Sequence, residues 1–416
     1  MRVLLIGSGA REHAIGWAIA RSEDLTELLS LPGNPGLAAL GPVVDGVSPT
    51  DVGAVAALAE SQAVDLVVVG PEAPLAAGLV DAVQRTGIAV FGPLRAAARL
   101  ESSKAFAKEV MVQAGIPTAA AGTFTDPDAA KAHLARQAGP FVVKADGLAA
   151  GKGVLVTESI TEAESWVDRC FGGGFGPAGT RVVIEDYLDG PELSVFAICD
   201  GSEFRTLEPA RDYKRLLDGD GGPNTGGMGS YSPVDLPAGL LTTVEENVIA
   251  PTLQTMAERG HPYRGFLYAG LALTSAGPQV IEFNCRLGDP ETQVVLPRLE
   301  TDLLRLLHAA CTDGLTGSRL RWNDTAHVNV VLAAGGYPDS PRKGDPITGL
   351  DRVGPDVAVF HAGTRADGRS LRTSGGRVLS VVGSGPDLAS ARRRAYAAAE
   401  LIDFAGKQYR SDIAVA

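Results

Sequence analysis

At 416 residues, with 45% hydrophobic content, few aromatics and 51 glycines, the chain exceeds one hydrophobic core and fits an α/β enzyme of two to four domains rather than a fibrous or disordered protein. A formal net charge of −12 argues against a nucleic-acid coat or a binder of anionic membranes, yet leaves room for a nucleotide held by local charge. Cys170, Cys199, Cys285 and Cys311 show no CxxC spacing, the apolar start is too short for a signal peptide, and no run reaches the roughly 18 apolar residues of a membrane helix, so zinc, disulfides and a membrane span are not expected and a cytoplasmic protein is.

In chain order, residues 1 to about 93 repeat strand, turn and helix: RVLLIG before REHAIGWAIA, VDLVVVG before LAAGLVDAVQR, then IAVFGP. This predicts a doubly wound parallel sheet over residues 1–100. Its turns carry the polar residues, Gly7 to His13 and Gly70-Pro71-Glu72. Gly7-x-Gly9 resembles a dinucleotide fingerprint, but Glu12 occupies the third glycine position and no acidic residue ends a second strand at the expected distance. A nicotinamide cofactor is disfavoured; an anion such as a sugar phosphate at the helix N-terminus is the better reading.

Residues 95–115 predict one helix, stopped by Gly115-Ile116-Pro117, with Lys104 and Lys108 one turn apart and ordinarily solvated. A smaller α/β unit follows over about 118–190, interrupted by the glycine-rich FGGGFGPAGT, read as a mobile loop. Within it, PFVVKADGLAAGKGVLVTE (140–158) is no Walker A motif, because Gly151-Lys152 runs into Gly153 and a strand instead of Ser or Thr and a helix. It reads as a hairpin lid whose tip offers backbone donors to phosphates while Lys144 and Lys152 neutralise them. A flexible hairpin with stray lysines is the bland alternative. Glu185 to Glu192 could form a hinge that holds adenine through its backbone, with Glu192 accepting from ribose hydroxyls.

Residues 191–285 hold a strand, the long polar loop RDYKRLLDGDGGPNTGGMGSYSP, a helix and a strand pair; the loop is long enough to suggest function. The second strand reads VIEFNCRLGDPETQ (280–293). Simple alternation puts Ile281, Phe283 and Cys285 in a core and Glu282, Asn284 and Arg286 on the opposite face. Two oxygen ligands and a guanidinium suit Mg²⁺ and an anion; a Glu–Arg pair tidying an edge strand is the alternative. From about Trp322 the chain turns mostly β, a C-terminal domain over 321–416.

Taken together, GSGAREHA (7–14), VGPEAPL (69–75), LESSKAF (100–106), KADGLAAGKGV (144–154), GPNTGGMGSYSP (222–233) and NCRLGDPETQ (284–293) resemble the ATP-grasp ligases, and within them the glycinamide ribonucleotide synthetase branch. The resemblance spans the whole chain. It implies α/β and α+β architecture: an N-terminal Rossmann-like domain (1–100), an ATP-grasp domain (101–320) with a lid subdomain, and a mostly β C-terminal domain. It further implies that ATP phosphorylates glycine's carboxylate and that 5-phosphoribosylamine attacks the resulting glycyl phosphate, a step of purine synthesis. By the same resemblance Lys104, Lys144, Gly151, Lys152, Gly153, Glu185, Leu188 and Glu192 would bind ATP. Glu282 and Asn284 would hold Mg²⁺ or Mn²⁺, with no third carboxylate offered by GFLYAGLALT. Arg286, Lys144, Asp212 and Lys214 would serve catalysis. Gly9, Arg11, Glu12, His13, Gly70, Pro71, Glu72, Arg286 and Asp289 would meet the substrates. A monomer, or at most a weak homodimer, is expected, with no nucleic-acid or membrane partner. The chain departs from the pattern at Arg211, where relatives carry an amide, and in a tail ending soon after Ile413, expected to trim only a surface segment.

Overall fold

The computed structural model describes residues 1–149 and 153–415. The predicted N-terminal sheet is present. Its strands are parallel and ordered Glu27–Pro32, Arg2–Gly7, Leu66–Val69, Ala89–Phe91. Val3 to Ile6 and Leu66 to Val69 are buried on both faces, which is why these strands read as unbroken apolar runs. Between Arg2–Gly7 and Leu66–Val69 the strand order reverses direction. The turns at Gly7 and Gly70 therefore flank a crevice at the carboxyl ends of neighbouring strands, the place where open α/β sheets bind ligands.

Two antiparallel sheets make up the middle of the chain. The larger is ordered Phe204–Thr206, Glu192–Asp200, Arg264–Thr274, Gly277–Asn284; the smaller, Ala121–Phe124, Val182–Asp186, Phe141–Ala145, Val154–Thr157. The smaller sheet and the helices Pro127–Leu134 and Ile160–Arg169 close over their own core of Leu134, Val143, Val167 and Ile184. It is a lid with separate packing. The stretch 171–180, expected as a mobile loop, is wound into the short turns Cys170–Gly174 and Gly176–Thr180, with Phe171 and Phe175 packed on that core.

The helix expected over 95–115 is broken. Arg99–Ser102 and Lys104–Ala114 are separated by Ser103, whose backbone is extended and whose hydroxyl accepts from Phe106 N at 3.2 Å. Asp146 fixes the break by accepting from Ala105 N at 3.1 Å and from Ser103 Oγ at 3.3 Å. An N-cap thus replaces continuous helix, and Lys104 becomes the first residue of the second segment.

The C-terminal sheet is antiparallel, ordered Arg211–Asp212, Gly229–Ser232, Ala326–Ala333, Arg377–Gly385, Val357–His361. Two of its five strands come from the polar loop, because that loop's backbone groups need partners once it is packed. Helix Leu388–Leu401 lies on it through Ala391, Ala395, Ala398 and Ala399. All four cysteines are free, and no helix among the described residues is long and apolar enough to cross a membrane.

Candidate active site

A cleft between the lid and the larger sheet is lined by helix Lys104–Ala114, the lid strands and the segment 281–286. The strand Gly277–Asn284 does not alternate as expected. Its pairing with Arg264–Thr274 slips between Gly270↔Glu282 and Leu271↔Val280, so Ile281 is an extra, bulged residue. Val280, Phe283 and Cys285 face the core, and Ile281, expected there, lines the cleft instead. The bulge also turns Ile281 O toward Lys144 Nζ, 3.1 Å away.

Lys144 and Lys108 share one carboxylate: Glu185 lies 2.8 Å from the first ammonium and 3.4 Å from the second. Lys108 is buried, not solvated, and also donates to Thr118 Oγ1 at 2.8 Å and Ala119 O at 3.0 Å. Lys104 reaches Gly147 O at 3.0 Å. Burial lowers the pKa of Lys104 and of Lys108, opposed by Glu282 and Glu185 respectively. Glu282 is half-buried, and although desolvation opposes its charge, Lys214, Lys144, the Asn284 amide and Lys104 hold its carboxyl below its ordinary value. It is a carboxylate kept ionised by surrounding cations. Asn284 donates to it at 3.1 Å and accepts from Arg286 at 3.1 Å.

Arg286 is fixed by two carboxylates, Glu101 at 2.9 Å and Glu72 at 3.3 Å. Glu101, absent from the expected set, also accepts from Cys285 N at 2.7 Å. Burial raises its pKa against the pull of Arg286. Glu72 sits on the turn after Gly70-Pro71 and lies 3.8 Å from Arg11, so the N-terminal crevice and the cleft share an ion network.

In that crevice Glu12 folds inward, accepting from Gly9 N at 2.7 Å and Arg11 Nε at 2.6 Å. A Cβ at Gly70 would stand 2.5 Å from the Glu12 side chain, so glycine is required there. His13, expected to face a sugar phosphate, is enclosed instead. Its Nδ1 accepts from His361 N at 2.9 Å and its ring meets Phe360 edge-on, so helix Ala10–Ile19 is pinned to the C-terminal domain. Asp289 lies beside Gly9 and pairs with Arg377 at 3.1 Å, and Arg377 also donates to Asp289 O and Gly226 O.

Asp212 and Lys214 form a second group, with Lys214 paired to Glu192 and 3.7 Å from Asp212. Glu192 is thereby drawn to the polar loop 211–233 and, like half-buried Leu188, does not line the cleft that holds Glu185 and Gly153. Burial opposes the charge of Lys214, but Asp212 and Glu192 keep it protonated. Arg211 donates to Glu192 O at 3.0 Å and to Tyr231 OH at 3.4 Å, so the added charge braces the loop. Glu291, also unexpected, is buried, accepts from Ser194 Oγ at 3.1 Å and has its pKa pushed up to about 7 by burial and by Asp212. Gly151 and Lys152 lie outside the described residues.

An N-terminal open sheet, two antiparallel sheets facing across a lysine-lined cleft, and a Glu-x-Asn-x-Arg strand on its floor define the ATP-grasp class. Within that class the chain belongs to the phosphoribosylglycinamide synthetase family. The family's N domain matches residues 1–101, its ATP-grasp domain 102–292 and its C domain 327–416. The phosphoribosylamine–glycine ligase of Streptomyces coelicolor is 53% identical over 420 residues, covering 100% of this chain and 99% of its own; that of Rhizobium meliloti is 49% identical over 414, covering 99% and 98%. A crystal structure of phosphoribosylamine–glycine ligase from Thermotoga maritima superposes with a TM-score of 0.88 at 38% identity, with 100% of both chains covered.

Proposed function

We infer that the chain joins glycine to 5-phosphoribosylamine at the expense of ATP, releasing glycinamide ribonucleotide, ADP and phosphate in purine synthesis. The observation that carries this reading is the Glu282 carboxylate, kept ionised by Lys214, Lys144 and Lys104 on the floor of a cleft that also holds Arg286. One strand thus presents oxygen ligands and a guanidinium to the same place.

The residues present suit a nucleotide. Glu185 Oε1 is buried without a hydrogen-bond partner among the described residues, an acceptor that suits an exocyclic amine such as adenine's. Lys104 and Lys144 neutralise phosphate oxygens beside Gly153, and the sequence alone assigns Gly151 and Lys152 to the same task. We assign Leu188 and Glu192 to the adenosine from the sequence pattern, although neither lines this cleft and Glu192 pairs with Lys214. Glu282 and Asn284 present oxygen donors that suit Mg²⁺ or Mn²⁺, which supplies charge neutralisation at the transferring phosphoryl group.

Arg286, oriented by Glu101 and Glu72, binds the glycine carboxylate, which is already ionised at neutral pH and needs no base. A carboxylate oxygen attacks the γ-phosphorus and ADP leaves. The amine nitrogen of phosphoribosylamine then attacks the acyl carbon, the carbon–oxygen bond to phosphate breaks, and the proton lost from the nitrogen leaves with the released phosphate. Asp212 and Lys214 approach from the acceptor side, where the ammonium stabilises the departing phosphate oxygens. The crevice of Gly9, Arg11, Gly70, Pro71, Glu72 and Asp289 receives the ribosyl phosphate, and Glu12 and His13 fix its shape from behind. We place the enzyme in the cytoplasm as a monomer or weak dimer acting on free metabolites, consistent with its acidic charge and free thiols. ADP release requiring both glycine and phosphoribosylamine supports the reading; turnover driven by bicarbonate without glycine overturns it.

A further inference from the structure

The loop that carries Asp212 and Lys214 is held by the end of the chain. Residues in an extended segment alternate sides. Asp212 and Lys214 turn toward Glu192, while the Tyr213 ring turns away, and that ring and the backbone carbonyl of Arg215 both meet the segment 410–414.

Arg410 is the centre of this contact. Its side chain is 1% exposed and its guanidinium stands 4.8 Å over the Tyr213 ring. It donates to both Asp412 oxygens at 2.7 and 2.6 Å, to Asp220 at 2.7 Å and to Arg215 O at 3.2 Å. A planar fork is needed to serve these partners at once; an ammonium would reach only part of the set. The neighbouring residues add to the clamp. Ala414 N donates to Tyr213 OH at 2.9 Å, Ser411 N to Asp218 at 2.8 Å, and Gly219 N to Asp412 at 2.9 Å. Ile413 is fully buried in the C-terminal core, where a Cβ at Gly229 would stand 2.7 Å from it, so this part of the tail is an internal strut. The partners of the Arg410 guanidinium all lie in the loop 211–233 or the tail, while its backbone carbonyl accepts from Tyr396 OH at 2.8 Å.

We propose that Arg410 is a positioning residue for the ligase reaction: by gripping Tyr213, Arg215 and Asp220 it sets the place of Asp212 and Lys214 at the acceptor side. This rests on the ligase reading above. The nucleotide cleft draws on the lid, helix Lys104–Ala114 and the strand Gly277–Asn284, none of which Arg410 touches. A positioning role therefore separates the substrates, whereas loss of general folding would not.

The test is Arg410→Met beside Arg410→Lys and the milder Asp218→Ala, in the full chain with Mg²⁺, reading MgATP affinity by calorimetry and kcat and KM for glycine and phosphoribosylamine. The expected result is kcat/KM for the two acceptors reduced about tenfold or more in Arg410→Met, with partial recovery in Arg410→Lys and MgATP affinity within about twofold of the parent. If Arg410→Met does not fold, Asp218→Ala should show the same split at smaller amplitude. Unchanged acceptor kinetics, or acceptor kinetics and MgATP affinity falling in parallel, overturns the proposal. Absence of glycine-dependent turnover in the parent chain would instead overturn the ligase reading.

Discussion

Lys144 donates to Glu185 across 2.8 Å, and the same ammonium reaches Ile281 O at 3.1 Å, so one side chain joins the lid sheet to the bulge in the floor. Replacing it leaves Glu185 with Lys108 as its remaining cation. Lys144→Ala is expected to weaken MgATP binding by roughly tenfold to a hundredfold, the worth of one hydrogen bond to a charged group. Titration calorimetry reads this directly, and parental affinity would contradict the assignment.

Glu282→Gln keeps the shape of the floor and removes its negative charge. We expect kcat to fall roughly a hundredfold or more, with a weaker apparent affinity for Mg²⁺, because a fixed charge at the phosphoryl centre is lost. The carboxyl of Glu282 is held below 4.5, so it stays charged as the pH falls until that lower value is passed. Any acid limb in kcat above pH 4.5 therefore comes from other groups and should persist in Glu282→Gln as in the parent; a limb there that Glu282→Gln abolished would contradict this electrostatic picture.

Arg286→Lys tests the guanidinium fork. A single ammonium cannot hold Glu101, Glu72 and the Asn284 oxygen together. The expected outcome is a KM for glycine raised about tenfold or more, with stability lowered by about 1–3 kcal/mol as buried Glu101 loses part of its partner. Steady-state kinetics and urea unfolding measure the two effects. Unaltered glycine kinetics would remove Arg286 from the acceptor site.

His13 and His361 tie the first helix to the C-terminal domain, and burial depresses their pKa values to about 3 and about 4. Both are neutral in the fold, while the unfolded chain protonates near 6.5, so the unfolded state binds more protons below that pH. Their contribution is full above pH 6.5 and is lost on acidification toward pH 4, by up to about 1.4 kcal/mol per pH unit for each ring. Urea midpoints from pH 7.5 to 5 should show the fall, and His13→Asn should make it less steep while His361 keeps its share. A flat parental profile would contradict the buried neutral pair.

The parallel N-terminal sheet and the lid strands were legible because buried strands read as short apolar runs bounded by glycine turns. The segment 280–286 was legible as well, since Glu282, Asn284 and Arg286 stand out at a strand end. What alternation could not show was the bulge at Ile281, which depends on pairing with Gly270. Lys108 and Glu101 look solvated on a helix and become buried only through Glu185 and Arg286, far away in the chain. Arg377 and Arg410 belong to a domain read as separate. The polar loop hid Gly229–Ser232, whose partner strand Ala326–Ala333 lies about a hundred residues onward, and with it Arg211–Asp212, which pairs on Gly229–Ser232. Ser103 could have been found, for Ser followed by a fresh helical run is an N-cap signal.

The central claim is that this cleft activates a carboxylate by phosphorylating it. Glycine labelled with ¹⁸O in its carboxylate, turned over with ATP, Mg²⁺ and phosphoribosylamine, tests it most directly. One labelled oxygen per turnover should appear in inorganic phosphate, carried there when the acyl carbon–oxygen bond breaks. Phosphate free of label, with glycinamide ribonucleotide still formed, would contradict the account.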